Sequence, residues 1–349
     1  MMLNKGQTQD ASNGATAIQA GGDVHIGISA TEARNIAQDV AKLTFYELSG
    51  VARDLAATRV EEITNKVIDK LEAEFPAGLN KAKDPDFQYA LLTVQKQYAR
   101  NGDEDLGALL VNLLVDRSKQ EKRDILQIVL NESLETAPKL TDAQLSNLAV
   151  IFLLKYTQNR EVLNIEALGR YFDRYLFPFT SLLTKSQASF QHLEFAGCGA
   201  TQITDVTLED VLFHTYGGLF MAGFDSSELC KVELPASICD ELFMPCISNP
   251  EKIQIKMKNS DVLTEFLTAK GIAEPAISQI KQLYESNKLS SEKIKEQCIA
   301  LRPFMAELFD VWNSSNMKSF TLTSVGLAIG HANVKRQAGK FAELSVWIN

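Results

Sequence analysis

Residues 29–75 read SATEARNIAQDVAKLTFYELSGVARDLAATRVEEITNKVIDKLEAEF, and this stretch decides the fold class. Ser29 and Glu32 stand in the S-x-x-E spacing of a capping box. In that motif each side chain satisfies a backbone N–H left over at a helix start. From there Ile36, Val40, Leu43, Leu48, Val51, Leu55, Val60, Ile63, Val67 and Leu71 recur at short steps. Such steps gather apolar side chains on one side of a helix. No proline interrupts before Pro76. The spacing predicts one helix of about 45 residues, about 65 Å long at 1.5 Å per residue. Gly50 is its weak point, and a break there into two core helices is the alternative reading.

Downstream the helical pattern continues with clear punctuation. Asp84-Pro85 supplies a cap and a proline at the first helical position. Asn101-Gly102 closes that helix. Leu106, Leu109, Leu110, Leu113 and Leu114 mark a strongly apolar helix, and Ile125, Ile128, Val129 and Leu134 the next. Thr141 and Gln144 form a second capping box ahead of Leu145, Leu148, Phe152 and Tyr156. Ile165, Leu168, Phe172 and Leu176 carry the series to Pro178. Short connections between such helices imply antiparallel neighbours in a bundle.

Upstream the period changes. Thr16, Ile18 and Ala20 alternate with Ala17 and Gln19, and Val24, Ile26 and Ile28 alternate with His25 and Gly27. Gly21-Gly22-Asp23 lies between the two runs. Period-two alternation around a glycine turn reads as a β-hairpin. Its apolar face is Ile18, Ala20, Val24, Ile26 and Ile28, and Gly21 and Gly22 suit a turn with positive φ. A lone hairpin is marginal in water, and its open edges invite another strand. Hairpins of several subunits are expected to combine, which makes these seven residues the candidate oligomerisation element. Docking of the hairpin on its own helical body is the alternative.

Past Pro178 helices are expected over 181–195, from Thr207 through Tyr216, and over 261–270, 275–287, 291–314 and 324–338. Ile253, Ile255 and Met257 alternate with polar residues, as a strand would. Phe320 to Thr323 and Leu344 to Ile348 are two further expected strands. All three are expected to share one small sheet. The expected architecture is mostly α: a flexible tail and hairpin over 1–28, a long helix and helical bundle over 29–177, and a mixed α+β unit over 178–349.

Composition narrows the function. Apolar residues at 45% of 349 can bury a sizeable core, and a net charge of −9 argues against a protein that coats nucleic acid. The polar start, with no apolar leader segment, and five loosely spaced cysteines predict a cytoplasmic protein with reduced thiols. The longest apolar run, around Leu145 to Leu154, is too short for a membrane span.

Chemistry-bearing motifs are scarce. The sequence has no G-x-x-x-x-G-K-[ST], no H-E-x-x-H and no G-x-S-x-G. Cys230, Cys239 and Cys246 lack the close pairing of structural zinc ligands, though folding could bring His192, Cys198 and His214 to them. His192, His214 and His331 sit beside apolar residues and read as structural histidines. Gln254-Ile255-Lys256 with Asp240 upstream resembles a metal-dependent nuclease pattern, but departs from it in carboxylate and spacing, so an amphipathic edge strand is the better account. Lys318, Lys335, Arg336 and Lys340 read as a solvated basic face.

The run Ala17-Ile18-Gln19-Ala20-Gly21-Gly22-Asp23-Val24 followed by a long helix resembles an uncharacterised bacterial family. Tyr98-Ala99-Arg100-Asn101-Gly102-Asp103, Leu322-Thr323-Ser324-Val325-Gly326 and Leu344-Ser345-Val346-Trp347-Ile348 carry the same resemblance. Residues 322–326 are also similar to the closing motif of helical abortive-infection-type proteins, where it sits on a strand-to-helix turn. That similarity implies a setting in phage defence and supplies no catalytic residue.

These readings converge on a homo-oligomeric, non-enzymatic binding or scaffold protein, a sensor in bacterial stress or phage defence. It needs no cofactor, and its partners are copies of itself and another protein rather than nucleic acid or a membrane. An enzyme with an unrecognised site in residues 190–250 is the alternative.

Overall fold

The computed structural model describes residues 27–42, 50–231, 234–257 and 259–348. The protein is mostly helical, with a few short antiparallel strands. The helices in chain order are α1 (Ala30–Lys42), α2 (Gly50–Glu74), α3 (Pro85–Asn101), α4 (Glu104–Ser118), α5 (Ile125–Thr136), α6 (Asp142–Tyr156), α7 (Ile165–Tyr171), α8 (Phe177–Thr180) and α9 (Gln187–Phe195). Then come β1 (Gly199–Thr201), α10 (Leu208–Tyr216), α11 (Ala236–Leu242), β2 (Phe243–Pro245), β3 (Ile253–Ile255), α12 (Ser260–Ala269) and α13 (Glu274–Ser286). The last elements are α14 (Ser291–Leu301), α15 (Met305–Ser314), β4 (Phe320–Leu322) and α16 (Ser324–Ala338). Two compact units divide the chain, Met1–Arg100 and Asn101–Asn349. Residues 29–177, expected to form one bundle, contribute α1 to α3 to the first and α4 to α7 to the second.

In the first unit the capping box closes as its spacing implies. Ser29 Oγ accepts from the Glu32 N–H at 3.2 Å, and the Glu32 carboxylate accepts from the Ser29 N–H at 3.0 Å. The backbone and hydroxyl of Ser29 hold that carboxyl below its ordinary range. The expected single long helix does not form. Arg34 Nε donates to Asn65 Oδ1 at 2.7 Å, whereas 31 residues of straight helix would separate them by about 46 Å. Ala41 packs with Ala56 and Val60, so α1 runs antiparallel to α2. The break near Gly50 therefore holds, and Gly50 has φ +58°. Residues 43–49 lie outside the described residues.

The buried stripe of α1 is Ala33, Ala37 and Ala41, while Ile36 and Val40 are half-buried. On α2 the stripe is Val60, Ile63, Val67 and Leu71 as expected, but Val51 is 83% and Leu55 48% exposed.

The second unit is built on α6 and α16. Leu148 to Leu154 of α6 are all buried. Glycines set how closely α16 lies against it. A Cβ on Gly330 would stand 2.8 Å from the Leu148 carbonyl oxygen, and one on Gly326 1.9 Å from that of Cys198. The helices α4 and α5 also pack on α16. A second cluster joins Leu242, Phe243, Ile255, Leu263, Ile277, Ile280 and Tyr284 of α11, β2, β3, α12 and α13.

Three expectations change here. The strands do not share a sheet: β1 pairs with β4 (Gly199 opposite Leu322), and β2 with β3 (Phe243 opposite Ile255), as two separate antiparallel ladders. Leu344–Val346 is a 3₁₀ turn rather than a strand. Its neighbours explain this, because Leu344 and Ile348 bury together at a spacing of four, which suits a helical turn and not a pleat. The helix expected over 291–314 is two helices, α14 and α15, split at Pro303, which has no N–H to continue the ladder. Pro178 does not stop the chain in the same way: the helix widens into a π-turn at Phe172–Leu176 and continues through Pro178 to Thr180. Among the described residues no helix is long and apolar enough to cross a membrane.

Candidate functional site

Of the seven residues of the expected oligomerisation element, Ile18, Ala20, Gly21, Gly22, Val24 and Ile26 lie outside the described residues. Ile28 is half-buried on the first unit, and its N–H donates to Asn80 Oδ1 at 2.9 Å. Gly27, with φ +136°, sits against the same Asn80 side chain. Asn80, in the 3₁₀ stretch Pro76–Lys83, thus fixes where the chain joins α1.

Residues 190–250 hold the glycines, histidines and cysteines of the enzyme alternative; Gly223 lies against Cys246, while His192 and His214 stand on different helices. His192 meets Gln144 through Nδ1, and His214 is exposed on α10. Cys198 is buried where β1 begins, and burial pushes its thiol up to about 12. Cys246 is also buried; its Sγ lies 3.4 Å from the Met221 carbonyl, and Ser248 Oγ donates to that carbonyl at 2.5 Å. These bonds close a turn. Cys198, Cys239, Cys246 and Cys298 are free thiols. Among the described residues no three His, Cys, Asp or Glu side chains come together as a metal site would require.

A concentration of polar and aromatic side chains lies elsewhere, under residues 339–348. Gly339, with φ +80°, turns the chain out of α16 and back across the second unit. This strap lays Phe341, Leu344, Trp347 and Ile348 onto the body. Phe341 stacks on Trp347 with ring centroids 6.0 Å apart. Both meet Phe152 of α6, at 6.0 and 5.0 Å, and Tyr175 flanks Phe341. Trp347 Nε1 donates to the Tyr156 carbonyl at 2.7 Å.

His331 of α16 lies beneath. Its ring is 5.6 to 5.8 Å from those of Phe152, Phe341 and Trp347. Nε2 stands 2.7 Å from the Ala342 carbonyl oxygen. A carbonyl only accepts, so Nε2 carries the proton and Nδ1 is the bare nitrogen. Nδ1 is buried and has no hydrogen-bond partner among the described residues. Burial holds this imidazole below its ordinary value, against the opposing bond to Ala342.

A buried ionic cluster adjoins the ring. Asp116 of α4 takes Lys335 at 2.8 Å and Lys119 at 3.0 Å, and Lys119 reaches both oxygens of Glu343 on the strap at 3.1 Å. Burial by itself would raise the Asp116 carboxyl, but the Lys335 and Lys119 charges and bonds outweigh it and hold the group low. Burial likewise works against the Lys119 ammonium, and Asp116 and Glu343 overcome it. Lys335 is therefore not part of the solvated basic face expected for it, and Arg336, half-buried, pairs with Asp105. Lys318 stays at the surface, beside Asp205.

Lys155 is a second, half-buried cation with a structural task. Its Nζ donates to the carbonyls of Met317, Lys318 and Phe320 at 2.9 to 3.0 Å, which ties down the turn that leads into β4. Burial lowers its pKa to about 8.

Sequence reading missed this seat. The visible signal was a histidine four residues before Lys335, followed by aromatic residues 341 and 347; the ion-pair partner Asp116 lies 219 residues away. A family model of uncharacterised type matches residues 27–348. No curated protein and no solved structure matches the chain.

Proposed function

This chain belongs to the family of uncharacterised type matched over residues 27–348, and we propose from that starting point that it is a homo-oligomeric, non-enzymatic binding or scaffold protein. What carries the reading is how its deeply placed reactive groups are engaged. Asp116, Lys335 and Lys119 neutralise one another, and Lys155 directs its N–H groups at three carbonyls. Burial pushes the Cys198 and Cys298 thiols up to about 12, which removes them as nucleophiles at neutral pH. An acid–base or nucleophilic centre needs a group held near its working pKa within reach of substrate. These groups instead hold elements together.

The surface supports binding in a second way. Val51, Phe195 and Ile203 are 83%, 89% and 103% exposed. Large apolar side chains this open contribute more when a partner covers them than in water. For self-association we assign the element Ile18, Ala20, Gly21, Gly22, Val24, Ile26 and Ile28, whose last residue is anchored beside Asn80. The setting we attach to this activity is the bacterial cytoplasm, in a stress or phage-defence response, with a protein as the further partner.

Light scattering tests the reading on three chains: the wild type, a deletion of residues 1–28, and Ile26→Asp. The wild type should have the mass of a multimer, and both variants should fall to a smaller species with an unchanged helical circular-dichroism signal. A wild-type monomer, or variants that keep the wild-type mass, would overturn it.

A further inference from the structure

We propose that residues 339–348 are a releasable strap whose seating requires a neutral His331, so that mild acidification frees the strap and uncovers the aromatic seat of Phe152, Tyr175 and His331. In the imidazole, Nε2–H is committed to the Ala342 carbonyl, on the strap itself, at 2.7 Å. Adding a proton to Nδ1 creates a second N–H in a place with no acceptor among the described residues, at a side chain 1% exposed. A buried donor without a partner loses its full hydration. Three aromatic rings enclose the imidazole, two of them carried by the strap, and leave it out of contact with water.

The charged groups around the ring offset burial only in part: Asp116 and Glu343 favour the protonated ring, Lys335 opposes it, and burial outweighs the balance. Asp116, from α4, already holds Lys335 and Lys119. Lys335, one turn along α16, carries the same sign as a protonated imidazole. Glu343, on the strap, is taken by Lys119. From the π-turn Phe172–Leu176, Asp173 pairs with Arg302, and Arg174 donates to the Ala338 carbonyl. Glu132 and Glu135 of α5 face solvent. Of the ionisable residues of α6, Lys155 is bound to three carbonyls and Asp142 is exposed at its start.

The strap is the element that can yield. Gly339 gives it a hinge in a backbone region that other residues adopt only with strain. Among the described residues its polar ties to the body, past the Gly339 N–H bond to the Lys335 carbonyl, are His331 to Ala342, Lys119 to Glu343, and Trp347 to the Tyr156 carbonyl. The close packing of Gly326 and Gly330 holds α16 in place without the strap. The lowered imidazole fixes the sign. Seating is at full strength above the ordinary histidine value of 6.5 and is lost as pH falls through the lower value of the seated state.

The test uses acrylamide quenching of tryptophan fluorescence in the full chain, from about pH 7.5 to about pH 5, above the carboxylate range. Trp312 is fully buried, so the change reports Trp347. In the wild type, quenching should rise severalfold along a one-proton curve centred below 6.5, with the helical signal constant. His331→Gln keeps a donor for Ala342 and does not titrate, so its quenching should be flat. Trp347→Phe should abolish the rise, which assigns the signal to residue 347; should His331→Gln fail to fold, His331→Asn is a second non-titrating variant with the same flat expectation. A flat wild type, an unchanged rise in His331→Gln, or a rise that persists in Trp347→Phe would overturn the proposal.

Discussion

Replacing Gly330 by alanine sets two effects of known sign against each other. In an exposed helix interior the change stabilises by about 1 kcal/mol, because glycine loses more backbone freedom on folding. At residue 330 the added Cβ would stand 2.8 Å from the Leu148 carbonyl oxygen, 3.2 Å from its carbon and 3.1 Å from Phe152 Cβ. These atoms cannot swing aside as the end of a long side chain would. In α6 the Leu148 carbonyl accepts the Phe152 N–H, so moving it strains the helix ladder. Overpacking of this kind costs about 1–3 kcal/mol, and a backbone obstacle places it at the upper end. The net expectation is a loss of about 2 kcal/mol, with Tm falling by about 2–4 °C for each kcal/mol in a unit of this size. Urea unfolding followed by circular dichroism measures it, with an unchanged slope showing that the unfolded state is not the cause. Gly326→Ala, whose Cβ would lie 1.9 Å from the Cys198 carbonyl oxygen, should lose more. A Gly330→Ala protein as stable as the wild type would refute the claim that glycine sets the α6–α16 approach.

Two further changes test the cations that tie elements together. Asp116→Asn leaves Lys335 without its counter-charge and should cost about 3–5 kcal/mol at neutral pH by urea titration. The Asp116 carboxyl is held below 3.8, so the stability it supplies is present above that value and is lost as pH falls through the lowered one; the variant should lack that acid limb. Lys155→Met removes the donor shared by the Met317, Lys318 and Phe320 carbonyls, and should cost about 2–4 kcal/mol and speed amide exchange in β4.

Some elements were legible without the fold because their causes are local. The Ser29–Glu32 and Thr141–Gln144 capping boxes both close. Asp103 and Asn164 also cap, each accepting a backbone N–H three residues on. Such bonds join residues three apart, so adjacent sequence contains everything needed. The stripe Val60, Ile63, Val67 and Leu71 was equally plain, since α2 buries that face against its neighbours.

The sequence by itself determined that this protein is mostly helical, where most helices start, and that no run of its residues is apolar enough to span a membrane. Only the tertiary structure decided which faces meet. The antiparallel packing of α1 on α2 covers Ala33, Ala37 and Ala41 and leaves Val51 exposed, because which face of a helix is buried depends on where its neighbour lies. Gly199 pairs with Leu322, and Lys335 with Asp116, across more than a hundred residues. Residues 344–348, expected as a strand, instead turn as a 3₁₀ segment over rings and a histidine. Local hydrogen bonding is written in neighbouring residues, whereas the pairing of distant groups depends on where the chain turns back, and that is set by the packing of the whole unit.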